Sequence, residues 1–504
     1  MLRRFFLACL LGPLVTGACK SERVLEPDPV FIVTPRSPLT QSGMILQMKV
    51  LAPSEGSPLA EPVTWTSSNT GVASIDADGV VTSVAAGTTL ITATSGSVSD
   101  TTTVEVQEGQ DGFLIASGDL NCGLTTTAGA VCWGENLFGQ TGTRSTSQIV
   151  FTPTPVAASV EWRSLDASWN HTCGVDTQFD VYCWGLNDVG QLGMGTDSDP
   201  VFPSKKVTSD DKFVLVSAGG AQTNHILSEF DFVRSQQTCA LTRKGEAMCW
   251  GLQANSVAGD ARSNTPRIVA PGIQFVSLAV GSGFVCAVSI ERRVYCWGNN
   301  DLGQLGRARN AFDTGPRPID SDARFKRVSA AGLHACAIAI DDSAYCWGVN
   351  TTLQLGATSN EQCTVRGRTY SCSAKPLEVG GGFKFRSLSP GSWGSSVSFI
   401  SQVEFTGHTC GVTTQQDIVC WGSNNAAAIR QPIHFDPLPI QPVQLSFPNN
   451  KFKAVATGAA HTCAELVTGQ VWCWGSNSRG QQGIPQGTSR GTGFGAVAGA
   501  FVFR

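Results

Sequence analysis

The sequence is organised around one short hairpin, bounded by two cysteines, which occurs seven times between residues 122 and 475. In each copy a cysteine is followed by nine residues, a second cysteine and then Trp-Gly, and this spacing never varies. The seven pairs are Cys122 and Cys132, Cys173 and Cys183, Cys239 and Cys249, Cys286 and Cys296, Cys336 and Cys346, Cys410 and Cys420, and Cys463 and Cys473. Successive copies begin 51, 66, 47, 50, 74 and 53 residues apart, and a period near 50 residues predicts a propeller or a solenoid.

The two cysteines of each hairpin are expected to form a disulfide. Cys239 and Cys249, for example, are equidistant from Lys244 at the turn. Residues equidistant from the turn of an antiparallel hairpin face each other, close enough at Cα for a disulfide. Zinc binding is the alternative, but a ten-residue step spread around a ring does not bring four ligands together. In the chain-entropy model each such short loop contributes roughly 2–3 kcal/mol to stability.

The remaining cysteines fit the same scheme. Of 18 cysteines the hairpins use fourteen, while Cys9 and Cys19 lie in the N-terminal segment. Cys363 and Cys372 are left, close together in one loop, and we expect them to pair. Eight disulfides would need an oxidising compartment.

The N-terminus predicts export. Arg3 and Arg4 precede an apolar run too short to span a bilayer, which ends in Thr-Gly-Ala before Cys19. Residues 1–18 resemble a bacterial lipoprotein signal, and the resemblance implies that Cys19 is lipidated and anchors the chain to a membrane. The alternative is an ordinary signal peptide cleaved near Ala18. Both place the protein in the bacterial cell envelope or outside it, and Lys20 favours the outer membrane over the inner one.

Charge excludes one class of partner. The formal net charge is -4, and the sequence contains no basic stripe, so we expect no nucleic-acid binding.

Residues 19–29 have the composition of a linker, and residues 30–107 that of a small β-sandwich. Short β-branched runs alternate with Gly, Asp and Asn turns, as at Gly79-Val80-Val81. Together with the run Trp65 to Asn69, this resembles the group-2 bacterial immunoglobulin-like domain. We expect Trp65 to pack in the core, and the domain to act as a spacer that carries no chemistry.

Residues 113–504 contain the repeats, and their apolar positions fall in short runs without helical spacing. Trp-Gly-x-Asn follows the second cysteine, and Gly-Gln-Leu-Gly occurs at 190–193 and 303–306. These elements resemble the regulator of chromosome condensation repeat family, which implies a seven-bladed β-propeller. The fold class is therefore all-β, a sandwich followed by a propeller. We expect residues 501–503 to close the ring by adding a strand to the sheet begun by residues 113–115.

No enzyme or metal motif is found. Four histidines precede a hairpin by two positions: His171, His334, His408 and His461. A ring of imidazoles could bind a metal or sense pH. The repeat family implies instead a structural residue that hydrogen-bonds its own corner. No paired-carboxylate, nucleophile-elbow, Walker or zincin pattern appears, so we expect neither catalysis nor a cofactor.

Partner contacts are expected where the repeats carry insertions. Blade three has extra residues between 220 and 239 and blade six between 391 and 408, both before the first cysteine of the blade and thus on one face. The loop between Cys363 and Cys372 in blade five is expected to leave the repeat elsewhere. The candidate contact residues are Phe230, Phe232, Arg234, Trp393, Phe399 and Phe405, because aromatic and Arg side chains dominate binding hot spots. The alternative is that these aromatics pack inside their own loops.

The sequence therefore predicts a monomeric, non-catalytic surface lipoprotein whose propeller binds a protein or a glycan. Guanine-nucleotide exchange is an alternative implied by the family, but an exported propeller would not meet an intracellular GTPase. An enzyme acting on polysaccharide is a further alternative.

Overall fold

The structure is a computed structural model of the chain. It describes residues 32–51, 62–108, 114–127, 129–157, 159–220, 235–252, 262–309, 312–365, 367–398, 402–424, 428–429, 440–447, 449–488, 495–499 and 501–503. No helix long and apolar enough to cross a membrane occurs within these ranges.

The N-terminal domain is a β-sandwich. Its strands are β1 (Ile32–Thr34), β2 (Leu39–Gln41), β3 (Ile45–Gln47), β4 (Lys49–Leu51), β5 (Thr64–Ser67), β6 (Ala73–Ile75), β7 (Val80–Ser83), β8 (Gly87–Ser95) and β9 (Val98–Gln107). They form a sheet β2-β9-β8-β5, a sheet β3-β7-β6 and a short pair β1-β4. Alternate residues of β8, such as Ile91 and Ala93, are fully buried, as expected for a strand with one face on a core. Trp65 is half-buried against this core.

The C-terminal part is a ring of seven antiparallel sheets, one for each cysteine hairpin, which confirms the predicted all-β fold. Blade one contains β10 (Leu114–Ser117), β11 (Leu120–Leu124), β12 (Ala130–Glu135) and β13 (Ile149–Pro155). Blade two contains β14 (Trp162–Ala167), β15 (His171–Asp176), β16 (Val181–Asn187) and β17 (Ser198–Lys206). Blade three contains β18 (Phe213–Gly220), β19 (Gln236–Thr242), β20 (Ala247–Leu252) and β21 (Arg262–Ile268). Blade four contains β22 (Phe275–Val280), β23 (Phe284–Ser289), β24 (Val294–Asn299) and β25 (Phe312–Pro318).

Blade five has a fifth strand. It contains β26 (Phe325–Ala331), β27 (His334–Ala339), β28 (Ala344–Val349), β29 (Gln362–Val365) and β30 (Arg368–Glu378). Blade six contains β31 (Phe385–Ser398), β32 (Gln402–Thr413), β33 (Ile418–Gly422) and β34 (Ile440–Gln444). Blade seven contains β35 (Phe452–Thr457), β36 (His461–Leu466), β37 (Val471–Gly475) and β38 (Gly495–Ala496).

The first strand of each blade is innermost and lines a central channel. We call the face where this strand turns into the second strand the upper face, and the face with the turn between the second and third strands the lower face. The structure joins the two cysteines of every hairpin by a disulfide between the second and third strands, with Cα atoms 4.1 Å apart. An eighth disulfide joins Cys363 and Cys372.

Neighbouring blades are held together on the upper face by the loop that follows the third strand, which reads Gly-Gln-Leu-Gly in blades two and four, Gly-Gln-Thr-Gly in blade one and Leu-Gln-Leu-Gly in blade five. The main-chain carbonyl of Gln140 in blade one accepts a hydrogen bond from Trp184 Nε1 of blade two at 2.9 Å and one from Thr172 Oγ1 at 2.8 Å. At the joint between blades five and six, Gln354 O accepts the equivalent hydrogen bonds from Thr409 Oγ1 and Trp421 Nε1. The glycine that ends the loop is required by this contact: a Cβ on Gly193 would lie 2.8 Å from Trp250 Nε1.

The ring is closed by the C-terminus, but differently from our expectation. Phe503 does not pair with Leu114 or Ile115. It forms an isolated antiparallel bridge with Thr125, and its N–H donates to Gly469 O of blade seven at 2.9 Å. In this position it contacts the ring of Trp133 at a centroid distance of 6.3 Å. The predicted added strand is therefore wrong, while the predicted link between the C-terminus and blade one exists as this single bridge.

The sandwich packs directly on the lower face of the propeller. The N–H of Ile45 donates to the carbonyl of Arg243 in blade three at 2.7 Å, and the Arg163 guanidinium of blade two donates to Ser42 O at 2.8 Å. Arg292 of blade four forms an ion pair with Glu105 at 2.7 Å. Apolar residues of both domains share one buried cluster. The spacer role expected for this domain is thus incomplete, because the domain is also a fixed base of the propeller.

Candidate binding site on the upper face

Two insertions build a projection on the upper face. In blade six the hairpin β31–β32 continues past the usual corner at Gly391, which pairs with His408, as far as the pair Ser398 and Gln402. Seven further residues at about 3.3 Å each carry this hairpin roughly 23 Å above the corner.

In blade five the second insertion is the hairpin β29–β30. Val365 pairs with Arg368 at its tip, and the disulfide between Cys363 and Cys372 closes its base with Cα atoms 5.9 Å apart. Along β29 the side chains alternate, with Cys363 and Val365 buried and Gln362 and Thr364 exposed. The hairpin therefore has an apolar underside and a polar outer face.

The two insertions meet. The rings of Tyr370 and Phe405 pack at a centroid distance of 4.9 Å, and both belong to one buried cluster that also includes the Cys363–Cys372 disulfide. The Thr351 hydroxyl donates to Phe405 O, and the Thr352 hydroxyl donates to Gly407 O at 2.9 Å. We call residues 362–372 and 391–408 together the ridge. The blade-five loop leaves the repeat at a different position from the blade-six insertion, as expected, because it follows the third strand of its blade rather than the first. It nevertheless reaches the blade-six hairpin and supports it.

The predicted contact residues fall into three groups. Phe405 is 4% exposed and forms the inner seam of the ridge, so the contact role predicted for it is wrong. Trp393 lies on the projecting part of β31, paired with Thr406, and its side chain is not among those described. Phe230, Phe232, Arg234, Phe399 and the lipidation residue Cys19 lie outside the described residues.

Exposed polar residues on the outer face of the ridge were missed by the sequence analysis. Thr364 and Thr369 are exposed on this face, and their hydroxyls form a cross-strand hydrogen bond at 3.2 Å. Arg368 is exposed at the tip of the hairpin, where it pairs with Val365. The alternation of Gln-Cys-Thr-Val with Arg-Thr-Tyr-Ser-Cys contains this signal, because it is the pattern of a strand with one buried face.

The four histidines join blades rather than bind a ligand. His171 Nε2 lies 2.8 Å from Thr238 Oγ1 of blade three, and His461 Nε2 lies 2.8 Å from Asn121 Oδ1 of blade one. His334 and His408 contact threonines of the following blades in the same way. Full burial lowers the pKa of His171, His334 and His461 to about 3 and that of His408 to about 4, so all four are neutral at pH 7. The expected bond to the residue's own corner is present at His171, whose Nδ1 lies 2.7 Å from Ser168 Oγ, and the contact of all four histidines with the following blade was not anticipated.

Metal ligands do not converge in the described part of the chain. One group of three candidate ligands occurs there, Glu361 with Cys363 and Cys372, and its two sulfur atoms are joined to each other. A disulfide sulfur is not a thiolate ligand.

The channel offers little acid–base chemistry. Among the described residues that line it, Asp166 is the single carboxylate. It accepts hydrogen bonds from the N–H groups of Ala167 at 2.9 Å and Ala218 at 3.0 Å, and so links blades two and three. Burial raises its pKa to about 6. Glycoside hydrolysis commonly uses a pair of carboxyl groups flanking the substrate, and this wall presents one that is already engaged.

A pair of carboxyl groups, Asp119 and Glu135, lies outside the channel lining, at the joint between blades seven and one. Burial raises the pKa of Asp119, and burial together with the nearby Asp119 charge raises the pKa of Glu135. Gln481 Nε2 donates to Asp119 Oδ1 at 2.7 Å, and Arg479 Nε lies 3.9 Å from Glu135 Oε1. Both groups are therefore held by the loop that closes the ring.

Comparison with known families identifies the class of both parts. Residues 29–106 match the bacterial Ig-like domain (group 2). Residues 162–191, 275–304 and 452–481 match one model of the regulator of chromosome condensation repeat, and residues 180–224 and 293–338 match a second model of it. The chain carries regulator of chromosome condensation repeats, folded as a propeller behind a bacterial Ig-like domain.

Individual relatives share this propeller at low identity. The ultraviolet-B receptor UVR8 of Arabidopsis thaliana is 26% identical over 396 residues, which cover 75% of this chain and 69% of the receptor. The mitochondrial RCC1 domain-containing protein RUG3 of the same plant is 24% identical over 221 residues, covering 41% of this chain and 46% of RUG3. This chain thus spans less than half the length of RUG3.

Solved structures agree on the fold. Prp20p from Saccharomyces cerevisiae aligns with a TM-score of 0.58 and 20% identity, over 77% of this chain and 88% of Prp20p. Human WBSCR16 aligns with a TM-score of 0.59 and 18% identity, over 74% of this chain and 95% of that protein.

Proposed function

We propose that this protein is a non-catalytic binding scaffold of the bacterial cell envelope, and that the ridge on the upper face docks a protein or glycan partner. The observation that carries the proposal is the ridge itself. Two insertions, from blades five and six, are fastened together by Tyr370 and Phe405 on the face opposite the Ig-like domain. Insertions that a repeat does not need for stability are where propeller function is expected.

The position of the Ig-like domain sets the orientation of the ridge relative to the membrane. The Ig-like domain covers the lower face over blades two to four, through Arg163, Arg243 and Arg292. With residues 1–18 removed, Cys19 lipidated and residues 19–29 as a tether, the lower face would lie toward the membrane. The ridge would then point away from it. Eight disulfides, whose sulfurs belong to buried cysteines, support an oxidising compartment.

Protein binding has a precedent in the fold family. The structure of Prp20p was described together with its binding to Gsp1p and histones. Guanine-nucleotide exchange remains an alternative from the family, but it requires an intracellular GTPase, which the proposed location excludes. Polysaccharide cleavage is a weaker alternative, because the channel carboxylate Asp166 is held by two main-chain N–H groups.

The test is capture of an envelope partner by the full chain and by matched variants. The ridge variant is Thr364→Glu with Arg368→Glu and Thr369→Glu. The control replaces two threonines and one cation on the Ig-like domain with the same charge change, as Thr88→Glu with Lys49→Glu and Thr103→Glu, at positions that are likewise exposed. We expect the ridge variant to lose the partner and the control to retain it. Equal capture by both variants would refute the ridge as the docking site, and turnover of a glycan by the wild-type chain would refute the non-catalytic assignment.

A further inference from the structure

The outer strands of blades two, three and four carry a cation at the same position. Lys205 pairs with Cys183, Arg267 with Cys249 and Arg317 with Cys296, each opposite the second cysteine of its hairpin. All three side chains are exposed. They form no basic stripe in the sequence, because they lie about 50–60 residues apart along the chain.

The direction in which these three side chains point follows from the pairing of the strands. Paired residues of neighbouring antiparallel strands lie on the same face of a sheet. Cys183 packs with Phe213 of blade three, while Cys249 and Cys296 belong to a cluster with Phe275 of blade four and Phe325 of blade five. The three cations therefore stand in three successive grooves between blades, at one height on the side wall of the propeller.

The rest of the wall lacks this feature. The equivalent positions of the other blades hold uncharged residues, namely Thr154, Leu377, Val443 and Gly495. The outer strands of blades two to four contain five cations and two carboxylates, in a chain whose net charge is -4. Lys206 and Arg262 form ion pairs with Asp180 and Asp197, so the cations at the repeated position are the ones that define this wall. The positive charge is thus concentrated in a sector of three blades, which we call the cationic arc.

The arc is not built to add a strand. Each of its outer strands contains proline, for example Pro203, Pro266 and Pro316, and proline interrupts the main-chain donors that strand addition needs. A ligand of this wall is therefore held by side chains, and the side chains that recur at the same position of each outer strand are cationic.

We propose that the cationic arc binds a linear anionic polysaccharide whose charges are carboxylates. The cations occur once per blade around a convex wall, so they match a flexible polymer of low charge density that follows the curve. Duplex DNA carries a charge about every 1.7 Å and is stiff, and a planar membrane touches a convex wall only along a line. This surface is separate from the ridge and does not depend on it.

The test uses polygalacturonate as the probe, with dextran as a neutral polymer, and measures the dissociation constant of the full chain at 50 and 200 mM salt. The arc variant is Lys205→Gln with Arg267→Gln and Arg317→Gln. The control is Lys49→Gln with Lys244→Gln and Arg386→Gln, which also removes three positive charges, from exposed positions outside the arc.

We expect binding of polygalacturonate and not of dextran, with an affinity that falls as salt rises because counterions are released. The arc variant should bind at least about tenfold more weakly, and the control within about twofold of wild type. The proposal is overturned if wild type does not bind polygalacturonate, or if arc variant and control bind alike. It is also overturned if anionic lipid vesicles or duplex DNA bind the arc more tightly than the polysaccharide does.

Discussion

Phe503, the residue before the C-terminus, bridges Thr125 in blade one at the position where each other blade uses its own aromatic residue. In blades two to seven an aromatic residue begins the innermost strand and pairs with the residue three positions after the first hairpin cysteine, as Phe275 does with Ser289. Thr125 is three positions after Cys122. The Phe503 N–H also donates to the turn of the preceding blade, as the Phe452 N–H does to Gln416 O at 2.9 Å. The C-terminus therefore completes blade one.

The first prediction concerns this closure. Phe503 is 2% exposed, so Phe503→Ala should lower the free energy of unfolding by about 3 kcal/mol, as expected for a buried aromatic side chain. Val502 is 52% exposed, and Val502→Ala should change it by less than about 0.5 kcal/mol. Urea unfolding measures both. Equal stability of the two variants would show that Phe503 does not close the ring.

The second prediction concerns the loss of folding stability at low pH. The buried histidines have pKa values of about 3 to 4 in the folded chain and about 6.5 when unfolded, so the unfolded state binds more protons in this window. The stabilisation that comes from keeping these histidines neutral should be fully present above pH 6.5. The free energy of unfolding should then fall as pH decreases toward 4, by up to about 1.4 kcal/mol per pH unit for each histidine. Asp166 has the opposite sign, because its raised pKa of about 6 favours the folded state as pH falls, and it offsets about one histidine.

A variant isolates the histidine contribution. His171→Gln keeps a polar side chain near Thr238 and removes one titrating group. Its stability should depend less steeply on pH between 6.5 and 4 than that of wild type, as measured by thermal unfolding at several pH values. Parallel curves for the two proteins would contradict the assignment of this acid sensitivity to buried neutral histidines.

The third prediction concerns the docked Ig-like domain. Arg243 donates to Gly43 O at 2.8 Å and stacks on the Phe179 ring at 4.7 Å, whereas its neighbour Lys244 is exposed. Arg243→Ala should therefore lower stability by about 1–2 kcal/mol and speed proteolytic separation of the two domains. Lys244→Ala should change neither the stability nor the rate of cleavage between the domains. If Arg243→Ala leaves the rate of cleavage between the domains unchanged, the docking seen here does not persist in solution.

The fourth prediction separates scaffold from ridge. Replacing Cys363 and Cys372 together by alanine removes the closure of the ridge hairpin, so it should weaken partner capture. Replacing Cys239 and Cys249 removes a blade disulfide and should cost roughly 2–3 kcal/mol of stability. Its effect on capture should be small at temperatures where the ring stays folded. Thermal unfolding and partner capture, measured on both variants, give the comparison. Loss of capture in the blade variant alone would contradict this division.

Sequence was sufficient for the scaffold because its signals are local and repeated. The hairpin spacing predicts the blade number, and facing cysteines predict the disulfides. The hydrogen bonds between blades also involve repeated residues, since His461 and Thr172 occupy fixed positions in the repeat. Their partners lie in the neighbouring blade and are not visible in one repeat alone.

The rest depends on contacts that no local pattern records. Tyr370 and Phe405 are far apart in sequence and meet only because the ring places blade five beside blade six. The Ig-like domain docks partly through main-chain groups, such as Ile45 N–H and Arg243 O, which any residue supplies.

The most direct test of the central claim is hydrogen exchange on the full chain with and without its captured partner. The account predicts slower exchange on binding at the amides of residues 362–372 and 391–408, with no change at the lower-face turns near Arg243 and Arg292. Protection of those lower-face turns, with the ridge unaffected, would contradict it.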